Sequence, residues 1–283
     1  MKKFLLLLVI AVNLNGFAQN QKKIDKIVKE GKMLYRYEMA SWYGTDIFLS
    51  RYKDRNNIGG YFSYVVKDST RCVFFSRSEQ PKIIGSITFG SKFIEEKAST
   101  IIKERDFTPH EQELYTIREE ALKEISRNDI FVMYENTNFN IIPFIYEGKK
   151  KVYVLTGTTK TGVVFFGNDY LIIFNKQNKV KSAKKLHQNI IPIQYHLHDS
   201  NEKEIIHTHL KKTGDYFTVT DICTTMLYEK ITGWERHIVA SKKYYNSWDC
   251  KTNTMTVISM KVIKKINMHQ KELKKMRQKN KEE

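Results

Sequence analysis

Along residues 21–36 the apolar positions Ile24, Ile27, Val28 and Leu34 recur at the spacing of one helical face, with lysines between them. From Trp42 to Gly90 the pattern changes to short runs of aromatic and β-branched residues: Tyr61–Val66, Cys72–Phe75 and Ile83–Phe89. Lys67-Asp68-Ser69-Thr70 and Pro81 separate them, which predicts a small antiparallel meander. Thr108-Pro109-His110-Glu111 then offers an N-cap, a proline at the first helical position and a glutamate at the third. Leu114, Ile117, Ala121, Leu122 and Ile125 follow at helical spacing, so a helix is predicted over 109–127.

A second β region is expected from Phe131 to Ile193, with runs Ile141–Tyr146, Val152–Thr156, Val163–Phe166 and Tyr170–Phe174. Thr156-Gly157-Thr158-Thr159-Lys160-Thr161-Gly162 lacks the order of a phosphate-binding loop and reads as a hairpin connection, as does the stretch from Gly162 to Phe174. Residues 220–232 fit a helix that stops at Gly233, and Ile238–Trp248 returns to strand. From Lys261 onward a basic segment carries Met260, Ile263, Ile266, Leu273 and Met276 on a rough helical stripe. The expected class is α+β: an N-terminal helix and antiparallel meander over 19–106, a mixed domain over 107–258, and a basic helix or tail over 259–283.

The first residues read differently. Lys2 and Lys3 precede an apolar run from Phe4 to Val12, and Gly16-Phe17-Ala18 places small residues where a signal peptidase cuts. Asn13 and Asn15 end the run well short of the roughly 20 apolar residues that a membrane span needs. Residues 1–18 are therefore expected to be a cleaved signal peptide, the mature protein periplasmic or secreted and without a transmembrane segment. The chain carries 48 Lys and Arg against 31 Asp and Glu, a formal charge of +17. An anionic surface or polymer could be a partner, but the basic residues are dispersed and no nucleic-acid-binding motif is present. Cys72, Cys223 and Cys250 are too few and too widely spaced for a disulfide scaffold. Only Cys223 and Cys250 lie in one segment, and buried free thiols are the expectation for all three.

Candidate chemistry is concentrated in the histidines. Four of the eight, His196, His198, His207 and His209, fall within fourteen residues, on either side of Asp199-Ser200-Asn201-Glu202-Lys203, a polar stretch suited to a hairpin turn. Residues two apart on a strand share a face, so each His-x-His presents two imidazoles side by side, as a divalent metal such as zinc requires. The first pair alternates with Tyr195 and Leu197 on what reads as a wet face. The second follows Ile205-Ile206 and precedes a helix start that carries Asp221, with Thr218 three residues before it. Two histidines from a strand and a carboxylate from a helix N-terminus could form a three-ligand open zinc site, with a water in the fourth position.

The run His207-Thr208-His209-Leu210-Lys211-Lys212-Thr213-Gly214-Asp215-Tyr216-Phe217-Thr218-Val219-Thr220-Asp221 resembles the signature of the JAMM/MPN metalloprotease superfamily. That signature is His-x-His, about ten further residues, then Asp, with Ser or Thr three before it. The resemblance spans about residues 150–250. It implies that His207, His209 and Asp221 are zinc ligands, that Thr218 supplies the hydroxyl near the oxyanion, and that the reaction is hydrolysis of an amide or isopeptide-like bond. The His–Asp spacing is one residue longer than usual and Leu210 stands where active members commonly carry Pro. Glu135, Glu147 and Asp169 are the upstream acids nearest to the family's general-base glutamate, and none of them matches it in sequence. A non-catalytic secreted or envelope binding protein is the alternative reading.

Overall fold

The structure is a computed structural model that describes the backbone of residues 2–195 and 203–282. Side chains are described from Asn20 to Glu272 and Leu273 outside the gap, and at Met276. His196 and His198 lie outside the described residues.

The chain begins with helix α1 (Lys2–Arg51), whose inner face carries Leu34, Tyr37, Ala40, Ile47 and Phe48, all buried. The meander is thus delayed: Trp42–Arg51 is helical, not strand. These ten residues are rich in aromatic and β-branched types, but their buried positions keep the three-to-four spacing begun at Leu34, and packing decides the outcome over propensity. Strands β1 (Ile58–Val66), β2 (Ser69–Ser76), β3 (Ile83–Phe89) and β4 (Ser99–Ile101) then form an antiparallel sheet in chain order. Phe48 stacks on Phe74 with ring centroids 3.9 Å apart, which seals the C-terminal half of α1 to this sheet.

Helix α2 (Pro109–Arg127) begins and ends where the sequence places it. Thr108 accepts from the Glu111 N–H while the Glu111 carboxylate accepts from the Thr108 N–H, a complete capping box. Beneath α2 lies a sheet in the order β5 (Thr137–Tyr146), β6 (Lys149–Thr158), β8 (Tyr170–Phe174), β9 (Val180–Lys185), with β7 (Val163–Gly167) drawn out of it. β7 pairs with β10 (Ile190–Gln194) as a separate two-stranded ribbon. Neither Thr156–Gly162 nor Gly162–Phe174 is therefore a hairpin, because β6 pairs with β5 and β8 and β7 pairs with neither β6 nor β8. Gly167, at φ +81°, allows the turn away: a Cβ there would lie 2.2 Å from the Asn189 carbonyl oxygen.

The last sheet has the order β11 (Glu204–Thr208), β12 (Arg236–Ala240), β13 (Tyr244–Asp249), β14 (Thr254–Ser259). The stretch read as one strand from Ile238 to Trp248 is two, turning at Ser241–Lys243. β10 and β11 pair with β7 and β12, so no hairpin joins them. β11 and β12 are parallel, joined through helix α3 (Val219–Thr232), which ends at Gly233 in the left-handed conformation. Helix α1 packs on α3, and Gly31 makes the close approach possible, since a Cβ there would sit 2.7 Å from the Ile222 Cβ. Helix α4 (Met260–Glu282) follows, leaving Val262, Ile266, Met268, Leu273 and Met276 exposed. Among the described residues no helix is long and apolar enough to cross a membrane.

Candidate metal centre

Strand β11 alternates cleanly. Ile205, His207 and, one residue beyond the strand, His209 are buried, while Glu204, Ile206 and Thr208 face outward. The His209 N–H donates to the Ala240 carbonyl at 2.8 Å, which carries the pairing with β12 past the end of the strand and fixes the second imidazole. Asp221 is the third residue of α3, and the cap geometry divides its carboxylate. Oδ2 accepts from the Thr218 N–H at 2.7 Å and the Thr218 hydroxyl at 2.8 Å, whereas Oδ1 has no hydrogen-bond partner. Thr218 thus orients Asp221 through a local helix cap.

The structure brings His207, His209 and Asp221 together and adds a fourth group, His187, from the loop between β9 and β10. One donor atom from each of the four lies within 4.8 Å of the others, and all four residues are buried. His187 Nε2 is 3.0 Å and His207 Nε2 3.5 Å from Asp221 Oδ1, and His209 Nε2 is 3.3 Å from Oδ2. The Nε2 atoms of His207 and His209 are 3.0 Å apart. Four donors at the usual zinc bond length of about 2.0–2.1 Å around a tetrahedral ion would be separated by about 3.3 Å. The cluster therefore could hold a metal ion, with four protein ligands instead of three.

An ion at this position would satisfy two polar atoms, His187 Nε2 and Asp221 Oδ1, that otherwise lack a partner. Both ring nitrogens of His187, Nδ1 of His209 and Oδ1 of Asp221 are buried without a hydrogen bond. His187 Nε2 approaches Oδ1 closely but not in hydrogen-bonding alignment. Leaving such groups unsatisfied costs about 1–3 kcal/mol each. Burial lowers the His207 pKa to about 4, against the pull of Asp221, and holds His237 well below its ordinary value, so both rings are neutral. Burial opposes ionisation of Asp221, but its neighbours, His187 foremost, hold its pKa well below the ordinary value, and against the effect of burial Asp221 in turn raises the His187 pKa. A neutral His207 imidazole and an anionic Asp221 carboxylate are ligand forms that a metal takes.

A surrounding layer sets ring orientation. His207 Nδ1 is 2.9 Å from His237 Nε2, and His237 Nδ1 is 2.6 Å from the Thr225 hydroxyl, which donates to the Asp221 carbonyl at 2.7 Å. On the other side Asp169 Oδ2 stands 3.7 Å from His187 Nδ1, while its Oδ1 accepts from the Thr156 N–H at 3.0 Å. Burial raises the Asp169 pKa to about 6, with His187 opposing. Asp169 is the one upstream acid that reaches the centre; it lies behind His187, in the position of a carboxylate that orients a ligand.

His187 had no sequence signal: it stands alone in Leu186-His187-Gln188-Asn189, twenty residues before the motif. His237 was visible only as a strand residue. A cavity of about 510 Å³ opens onto the centre between the His187–Pro192 segment and β11, with His187 and His207 in its wall. Gln188, Asn189, Thr208 and Thr213 supply its polar lining, and among the described residues no carboxylate lines it. The three cysteines are free and buried. No protein-family model, curated protein or solved structure matches the chain.

Proposed function

We propose that this is an exported zinc-binding protein whose His-x-His…Asp element is JAMM/MPN-like in order but carries His187 as a fourth ligand, so that the centre is closed and non-hydrolytic. One observation supports this above the others: three imidazole nitrogens and a carboxylate oxygen of four buried residues lie within 4.8 Å of one another, and some of their polar atoms are otherwise unpartnered. A closed set leaves no position for an activated water, and among the described residues no carboxylate lines the cavity to act as general base. The role that remains is a metal-organised binding domain, with zinc fixing the wall of the cavity.

Metal analysis and calorimetric titration of the mature protein test it. About one Zn²⁺ per chain is expected, lost in His207→Ala/His209→Ala and weakened at least about tenfold in His187→Ala. Failure of the folded protein to take up zinc overturns the reading. Unchanged affinity in His187→Ala removes the fourth ligand and restores the three-ligand open site.

Hydrolysis of an amide or isopeptide-like bond is the second reading, favoured by the cavity that reaches His187 and His207. It requires His187 to leave the metal. Zinc-loaded protein that cleaves an amide substrate, with cleavage abolished in Thr218→Ala and Asp221→Ala, would establish it over the closed site.

A further inference from the structure

Beside the C-terminal half of α3 a second cavity, of about 340 Å³, lies between α1, β1, β5, β6 and α3. Helix α1 contributes Glu38, Trp42 and Asp46, spaced four residues apart and therefore on one face. Tyr61 and Tyr228 supply two further aromatic walls, with the Trp42 and Tyr228 rings 6.3 Å apart and inclined at 56°. Trp42 is 45% exposed and Tyr61 38%, so large rings stand open at the centre of the fold where α1 is otherwise packed.

The charge in this cavity runs against that of the molecule. In a chain of +17, its only charged lining residues are Glu38 and Asp46. Neither makes an ion pair among the described residues, and Glu38 accepts only the Asn140 amide, at 3.0 Å. Arg118 lies in an adjoining cavity of about 90 Å³ that shares Glu38, Ser41, Tyr61 and Asn140 with this one, and its guanidinium is paired with Glu119 at 2.9 Å. The Thr45 hydroxyl, also in the wall, is buried without a hydrogen-bond partner and can accept one. Carboxylates, aromatic faces and spare acceptors in one enclosure suit a positive ligand that donates N–H bonds. An anion would meet the half-buried Glu38 and the exposed Asp46 at its rim, and a neutral apolar molecule would cover Glu38 without pairing its charge.

We propose that this cavity binds a small organic ammonium ion, its charge between Glu38 and Asp46 and its carbon chain against Trp42, Tyr61 and Tyr228. The site is independent of the metal centre. Butylammonium is the probe, with n-butanol and butyrate as neutral and anionic counterparts, followed through the Trp42 indole signal in ¹⁵N-labelled protein and assigned by its loss in Trp42→Phe. Butylammonium should shift that signal saturably, n-butanol should bind at least about tenfold more weakly, and butyrate should not bind. Glu38→Gln should weaken butylammonium at least about tenfold, and Glu38→Gln/Asp46→Asn further, with zinc content and melting temperature unchanged as evidence of folding. No saturable shift, equal binding of n-butanol, or unaltered affinity in the folded double variant would overturn the proposal.

Discussion

The Nδ1 of His207 faces another imidazole, and this sets the proton positions along a chain of three groups. With Nε2 directed to the metal position, Nδ1 carries the proton and His237 Nε2 accepts it; His237 Nδ1–H then donates to Thr225, whose hydroxyl donates to the Asp221 carbonyl. Every donor has one acceptor in this arrangement. His237→Ala should lower zinc affinity about 10–100-fold without removing a ligand, and His237→Gln, which can still accept at that place, should recover part of the loss. Equal affinities in titrations of the wild type and His237→Ala would show that the tautomer is fixed elsewhere.

Glu111 is a second residue with more duties than its place in the cap suggests. Its side chain is fully buried, and it accepts from Arg105 at 2.6 and 2.7 Å, from the Tyr64 hydroxyl at 2.6 Å and from the Thr108 N–H. Burial alone would raise its pKa, but Arg105, Tyr64 and Thr108 together lower it to about 2. Because the folded value lies below the ordinary 4.5, this contribution to stability is fully present above about pH 5 and is lost as pH falls toward 2. Denaturation midpoints should fall over that window in the wild type, and the Glu111→Gln variant should show a shallower decline from a lower starting point.

At the scale of elements, α2 was legible to the residue because its signals are local: a cap, a proline and a stripe. The β regions were legible as strands but not in their pairing. Which strand leaves a sheet depends on contacts such as Gly167 against Asn189, which no periodicity encodes. The end of α1 was hidden for the opposite reason, its β-prone composition concealing a helical spacing. Three of the four centre residues and Thr218 sit in one fifteen-residue run and could be found from it. His187 lies in the β9–β10 loop, which packs so closely on Gly167 that a Cβ there would meet His187 Cβ at 3.2 Å, so its role depends on tertiary contact.

Gly31 tests the contact between α1 and α3. In an exposed helix Gly→Ala stabilises by about 1 kcal/mol. Here the new methyl would meet Ile222 at 2.7 Å and the Val219 carbonyl oxygen at 3.2 Å, so Gly31→Ala should destabilise by about 1–3 kcal/mol. Val219 and Ile222 flank Asp221, and weaker zinc binding should accompany the loss. A higher melting temperature in Gly31→Ala would mean that the helices are more loosely apposed.

For the whole molecule, the proposed export would affect every other measurement, because it would remove residues 1–18 and place the thiols in an oxidising compartment. Mass spectrometry of the exported protein should find an N-terminus at Gln19 or within a few residues of it. An intact Met1 on exported material would count against cleavage. Cys223 and Cys250 should remain reduced, since both are buried and burial raises both thiol pKa values, Cys250 to about 12, which suppresses the thiolate that oxidation needs.

The parallel pairing of β11 with β12 has a kinetic consequence. Strands β12, β13 and β14 join neighbours across short turns, whereas β11 must wait for the whole of α3 to form and fold back before it meets β12. Such contacts close long loops and come late in folding. His207 and His209 ride on that last strand, and Asp221 on the helix that delivers it. An ion bound at these residues would thus be captured late in assembly, once β11 has docked against β12.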